Sequence, residues 1–189
     1  MPMIPPDIAT TITAIHAAPQ QLVLAFAGAG SQALYWLHGV AGSSRTVLTA
    51  VDVYSPSALA ELLVGGPIER AVSRSTALSM AAWALARAEQ LAGPLTPIIG
   101  VGCTAALATE RERRGANRCI ITISSTNRFN QANDLRHSYE LVMQKGRRDR
   151  LGEEELCSRL LIRAIAMACA VPLVELALQA DEQLIEGVA

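Results

Sequence analysis

The residues of this chain best placed to do chemistry are glycines, hydroxyls and arginines rather than acids or amines. Gly28-Ala29-Gly30-Ser31 follows a short apolar run and precedes a helical pattern. A helix begins with N–H groups that have no partner inside it, so a strand-to-helix junction of small residues can cradle an anion. The same four residues also suit a tight turn with nothing bound, Ser31 then serving as helix N-cap. A second candidate is Gly102-Cys103-Thr104, where another apolar run opens into small residues. Cys103 or Thr104 could present a nucleophile or line a pocket, although a cysteine so placed is more often a small buried hydrophobe. Arg159 could bind a phosphate; it also stands four residues after Glu155, the spacing of a helical ion pair. Arg147, Arg148 and Arg150 read as a solvated loop, with contact to a ligand or partner as the alternative.

What the chain lacks narrows the chemistry further. It has 15 arginines and one lysine, Lys145. Arginine stays protonated, so a mechanism that needs a neutral amine must use Lys145 or fail. Cys103, Cys119, Cys157 and Cys169 form no C-x-x-C pair, and His16, His38 and His137 are far apart, so neither a metal site nor a cofactor is expected. A net charge of −1 demands no strongly basic face, and no nucleic-acid partner is expected. Residues 160–178 come closest to a membrane span, but Arg163, Pro172 and Glu175 interrupt them. No signal peptide is read at the N-terminus, and the expected location is the cytoplasm, with reduced thiols.

The elements that must position these residues follow from pattern. Asp7 caps a first helix over roughly 8–18. Gln21 to Ala25 reads as a buried strand, and Gln32 to Leu37 as helical. Thr46 to Tyr54 is β-branched and reads as a second strand, with a short helix over 56–63 behind Pro56. Ser73 caps a long helix to about Ala92, whose apolar row is Leu78, Ala81, Leu85, Ala88 and Ala92. Strands follow at 98–101, 118–124 and 137–144, with a charged turn over Glu110–Gly115. Glu153, Glu154 and Glu155 suit the first turn of a last long helix. Residues 171–189 read as a C-terminal helical tail outside a domain of residues 1–170. Strands alternate with helices early and pair consecutively later, which predicts a mixed sheet with helices on both faces.

This order resembles the CinA C-terminal family of nicotinamide-nucleotide amidohydrolases. The resemblance rests on Val40-Ala41-Gly42-Ser43-Ser44, a strand ending Tyr54-Ser55, Ala71-Val72-Ser73 opening an Ala-rich helix, and a strand ending Gly100-Val101-Gly102-Cys103-Thr104-Ala105. It implies a three-layer α/β/α fold with a mixed sheet of about five strands. In that family the first strand ends E-S-C-T-G-G, whose Ser is the nucleophile, and the second ends Y-S-N-E-x-K, whose Lys is its base. Counted onto this chain, the nucleophile position is Ala27, the two glycines fall at Gly30 and Ser31, and the Lys position is Leu59. Tyr54 keeps the family's place and would flank the pocket. A hydroxyl needs a nearby base to become a nucleophile, and here both members of the dyad are apolar.

The function expected from this is a catalytically silent CinA-like domain, a pseudoenzyme that binds a nucleotide or other phosphorylated small molecule. Its ligand-binding residues would be Gly28, Ala29, Gly30, Ser31, Tyr54, Gly102, Cys103, Thr104 and Arg159. The alternatives are a nicotinamide mononucleotide amidohydrolase with rearranged residues and a structural oligomerisation module. A homodimer or other homo-oligomer is expected, because the chain is 51% apolar and only 17% charged. The apolar faces expected to remain exposed are Leu160 to Val174 and the helix with Trp36.

Overall fold

The computed structural model describes residues 4–64, 68, 70–110, 114–126 and 135–188. In β1 (Gln21–Ala27) every residue after Gln21 is buried, as a central strand covered on both faces requires. Its side chains alternate: Leu22, Leu24 and Phe26 enter one apolar cluster, and Val23, Ala25 and Ala27 the other. β2 (Val47–Asp52) and β3 (Ile98–Ala106) flank β1, both parallel to it. β4 (Asn117–Thr126), β5 (Leu135–Met143) and β6 (Gln183–Val188) then add in antiparallel succession. The sheet order is β2-β1-β3-β4-β5-β6, a mixed sheet of six strands.

Helices α1 (Pro6–Ala17), α2 (Ser31–Gly39) and α6 (Arg150–Ala168) cover one face, with the single turn α3 (Ser43–Thr46) beside them. Helices α4 (Pro56–Leu62) and α5 (Arg74–Leu91) cover the other. Ser73 caps α5 by accepting a hydrogen bond from Thr76 N at 3.1 Å. This helix rides directly on β3, because Gly100 and Gly102 present no side chain to it; a Cβ on either would collide with α5 backbone. The three-layer mixed α/β architecture is the expected one, with a sixth strand added. The charged turn over Glu110–Gly115 lies partly outside the described residues.

The C-terminal segment corrects the expected helical tail. α6 ends with Ala170 at φ 54°, and Pro172 follows, which cannot donate to a continuing helix. Instead of helix, residues 171–179 take an extended path held by distant arginines. Arg163 Nη1 donates to Val174 O at 2.9 Å, and Arg148 Nη2 to Ala177 O at 2.7 Å. Arg148 also pairs with the buried Glu182 carboxylate at 3.0 Å, so it is a strut rather than a solvated loop residue. β6 then closes on β5. The apolar faces expected to stay exposed are core. Trp36, Leu160, Leu161, Ile162 and Ile165 are fully or almost fully buried, and Val174 nearly so.

Candidate functional site at the ends of the parallel strands

β1, β2 and β3 are parallel and end at the same edge of the sheet, the edge where open α/β sheets usually form their crevices. A cleft of about 230 Å3 lies there. β1 contributes Ala27 and the turn residue Gly28. The β2–α4 connection contributes Val53, Tyr54 and Ser55, α4 contributes Pro56 and Leu59, and β3 contributes Thr104 to Ala106. Gly28 must be glycine: its φ is 86°, and a Cβ would run into Ala105 O. Ala27 and Leu59, set far apart in sequence, thus face one cavity, and both are buried.

The polar groups around this cleft are mostly engaged with each other. Thr104 Oγ1 donates to Ala71 O at 2.7 Å and fixes the segment leading into α5. Ser55 caps α4, accepting from Ala58 N at 3.1 Å. Arg150, in the first turn of α6, reaches across: Nη2 donates to Tyr54 Oη and Nη1 to Ala108 O, each at 3.0 Å. It thereby bridges the chain after β2 to the chain after β3.

A second cleft of about 170 Å3 adjoins the first and shares Gly28, Tyr54, Leu107 and Arg150 with it. Ala29, Ser31, Asp52 and Glu154 also line it. Gly30, at φ 116°, starts α2, and the amides of the expected cradle do converge. The group they converge on is the chain's own Glu154. Its Oε1 accepts from Gly30 N at 3.0 Å, Ser31 Oγ at 3.0 Å, Gln32 N at 3.1 Å and Ser158 Oγ at 3.2 Å. Ser158 Oγ in turn accepts from Ala33 N at 3.0 Å. Burial, and after it the neighbouring Glu154 carboxylate, hold the Asp52 carboxyl above the usual carboxylate range.

Gly102, Cys103 and Arg159 line neither cleft. Gly102 is the seat of α5. Cys103 points to the opposite face, fully buried, with Sγ 3.6 Å from Ala29 O and 3.7 Å from Cys119 Sγ. The contact with Cys119 and burial push its thiol well up, away from the thiolate a nucleophile needs. Arg159 makes the helical ion pair with Glu155 at 3.2 Å and a second with Asp7 at 2.6 Å. Among the described residues, no cluster of His, Cys, Asp and Glu could hold a metal ion, and no helix is long and apolar enough to cross a membrane.

The residues that organise the site are Arg150, Glu153 and Glu154, of which the sequence reading offers only Arg150 a ligand contact and takes the two glutamates as first-turn acids. Glu153 is wholly buried; its Oε2 accepts from Ala108 N at 2.6 Å and its Oε1 from Asn117 Nδ2 at 2.7 Å, tying the end of β3 to the start of β4. The signal was the spacing of Glu153 and Glu154, three and four residues after Arg150, the first residue past the Asp149 N-cap, which puts all three on the same face of one helical turn.

No protein-family model and no curated protein matches the sequence. Solved structures do match. The competence/damage-inducible protein CihA from Agrobacterium tumefaciens is 23% identical, with a TM-score of 0.64 over 90% of this chain and 98% of that one. A CinA superfamily protein from Klebsiella pneumoniae is 16% identical, with a TM-score of 0.61 over 87% and 96% of the two chains. One from Escherichia coli is 17% identical, with a TM-score of 0.60 over 90% and 95%. The chain carries the fold of the CinA superfamily of competence- and damage-inducible proteins.

Proposed function

We propose that this is a catalytically silent CinA-like domain that binds a nucleotide or other phosphorylated small molecule in the cleft at the ends of β1, β2 and β3. The meeting of Ala27 and Leu59 in that cleft carries the reading. Acyl transfer to a serine needs a hydroxyl and a base within hydrogen-bond reach of each other, and the cleft offers a methyl and an isobutyl group at those two places. A cleft lies at these strand ends with both positions apolar, which fits binding without turnover. One observation favours a second reading, a structural module with a vestigial pocket: Glu154 already fills the anion-binding end of α2.

A thermal-shift series over nucleoside monophosphates, run beside an ammonia-release assay with nicotinamide mononucleotide, separates the readings. Stabilisation without ammonia is the expected result. Ammonia release within about tenfold of a dyad-bearing relative overturns the proposal in favour of an amidohydrolase with rearranged residues. Absence of both overturns it in favour of the structural module.

A further inference from the structure

We infer that the phosphate of the bound molecule sits between Arg70 and Arg118, at the end of the groove away from the α2 N-terminus; the choice of a phosphorylated ligand rests on the function proposed above. A third cleft, of about 260 Å3, is lined by Arg70, Val72, Ala106, Gly115, Ala116 and Arg118. It shares Val72 and Ala106 with the cleft that holds Ala27 and Leu59, so the cavities join into one groove. Asp52 and Glu154 stand at one end beside Arg150, which also lines the middle with Ala27, Leu59 and Thr104, and Arg70 and Arg118 line the other end.

Among the described residues, Glu140 is shared by Arg74 at 3.0 Å and Arg118 at 3.4 Å, and Arg70 makes no side-chain ion pair. Both arginines of the cleft are set on fixed backbone. The Arg70 carbonyl accepts from Thr76 Oγ1 at 2.8 Å and Ser73 Oγ at 3.1 Å, and the next carbonyl, of Ala71, accepts from Thr104 Oγ1. Arg118 lies within β4, in register with Ala106 of β3. Gly115 and Ala116 leave room between them. Two arginines set on held backbone suit a phosphate monoester, whereas at the other end Glu154 already occupies the amides of α2.

The test uses the full chain, inorganic phosphate as probe, and amide chemical shifts as readout. Phosphate is expected to shift the amides of Arg70 to Ser73 and Ala116 to Arg118 saturably. Arg70→Gln and Arg118→Gln should each weaken that binding about tenfold, the loss of one charge-assisted hydrogen bond, while Arg147→Gln leaves it unchanged. Arg70 is exposed, so its replacement leaves the core intact. Shifts at Gly28 to Gln32 instead, unchanged affinity in both variants, or no saturable shift would each overturn the inference. Adenosine monophosphate separates it from the function proposed above. If the nucleotide binds equally well to both variants, the inference fails and that function stands. If inorganic phosphate binds the arginine pair and adenosine monophosphate does not bind, the phosphate subsite stands and the nucleotide reading of the function fails.

Discussion

Glu154→Ala removes the single oxygen on which four donors converge. The hydroxyls of Ser31 and Ser158 can rotate to other acceptors, so their loss contributes little. The N–H groups of Gly30 and Gln32 cannot turn. Each sits in a half-buried place beside a cleft that water can enter, so each costs about 1 kcal/mol, the low end for an unsatisfied donor. Loss of a carboxylate from the positive end of α2 adds about 0.3–1 kcal/mol. The expected destabilisation is therefore about 2–3 kcal/mol, or about 4–12 °C in Tm for a domain of this size. Glu154→Gln keeps an acceptor oxygen and forfeits only the charge, so it should lose about 1 kcal/mol. Urea unfolding gives the comparison directly if the slope is unchanged. Phosphate should then stabilise the alanine variant more than the parent, because only the variant offers it free amides. An alanine variant within about 0.5 kcal/mol of the parent would refute the reasoning, since that is the scatter of neutral surface changes.

Gly102→Ala should cost about 2 kcal/mol or more, because its Cβ would meet Ala77 O and Ala81 N and lift α5 from β3; an unchanged urea midpoint contradicts that packing. His16 is buried, with Nδ1 on Thr46 Oγ1 and Nε2 on Leu37 O at 2.9 Å each, and desolvation holds its pKa below the usual 6.5. Its neutral form is the one the fold accepts, so its contribution is complete above pH 6.5 and falls away as pH drops through the folded-state value; stability measured against pH should lose that slope in His16→Gln. Self-association is the fourth expectation: β6 ends the sheet and exposes Ile185 and Val188, an edge open to a second copy. Sedimentation equilibrium should give a mass of about 40 kDa that persists in high salt, and 20.0 kDa, the mass of one chain, would exclude the dimer.

The fold was legible wherever one short segment carried its own signal. The apolar run from Gln21 to Ala25 and the Ser73 cap each decide their element locally, whereas β3 runs on through Gly102 to Ala106, past its expected end at 101. Counting from Tyr54-Ser55 and Ala41-Gly42-Ser43-Ser44 was enough to bring Leu59 and Ala27 to one cleft. Partners far away in sequence were not legible. Leu173, Leu176 and Ala177 fall at helical spacing, and the reach of Arg148 and Arg163 to the carbonyls of that segment holds it out of a helix. Glu154 caps an amide 124 residues away, and read alone it was an ordinary first-turn acid.

That distance explains why a helix N-terminus is a poor guide to a ligand site until its neighbours are known. The amides of Gly30 and Gln32 have the geometry for an anion, and the nearest anion is on the next helix. Glu154 is held by α6, itself anchored through Glu153 to Ala108 and Asn117 and through Arg150 to Tyr54. A carboxylate positioned this way competes at an effective concentration of about millimolar or above, and it loses little freedom on binding because the helix has already ordered it. A free phosphate must outbid it while also approaching Asp52, whose carboxyl feels the same crowding of negative charge. One turn of α6 thus sets Glu154 on the amides of α2, and a free anion can reach that helix end only by displacing it.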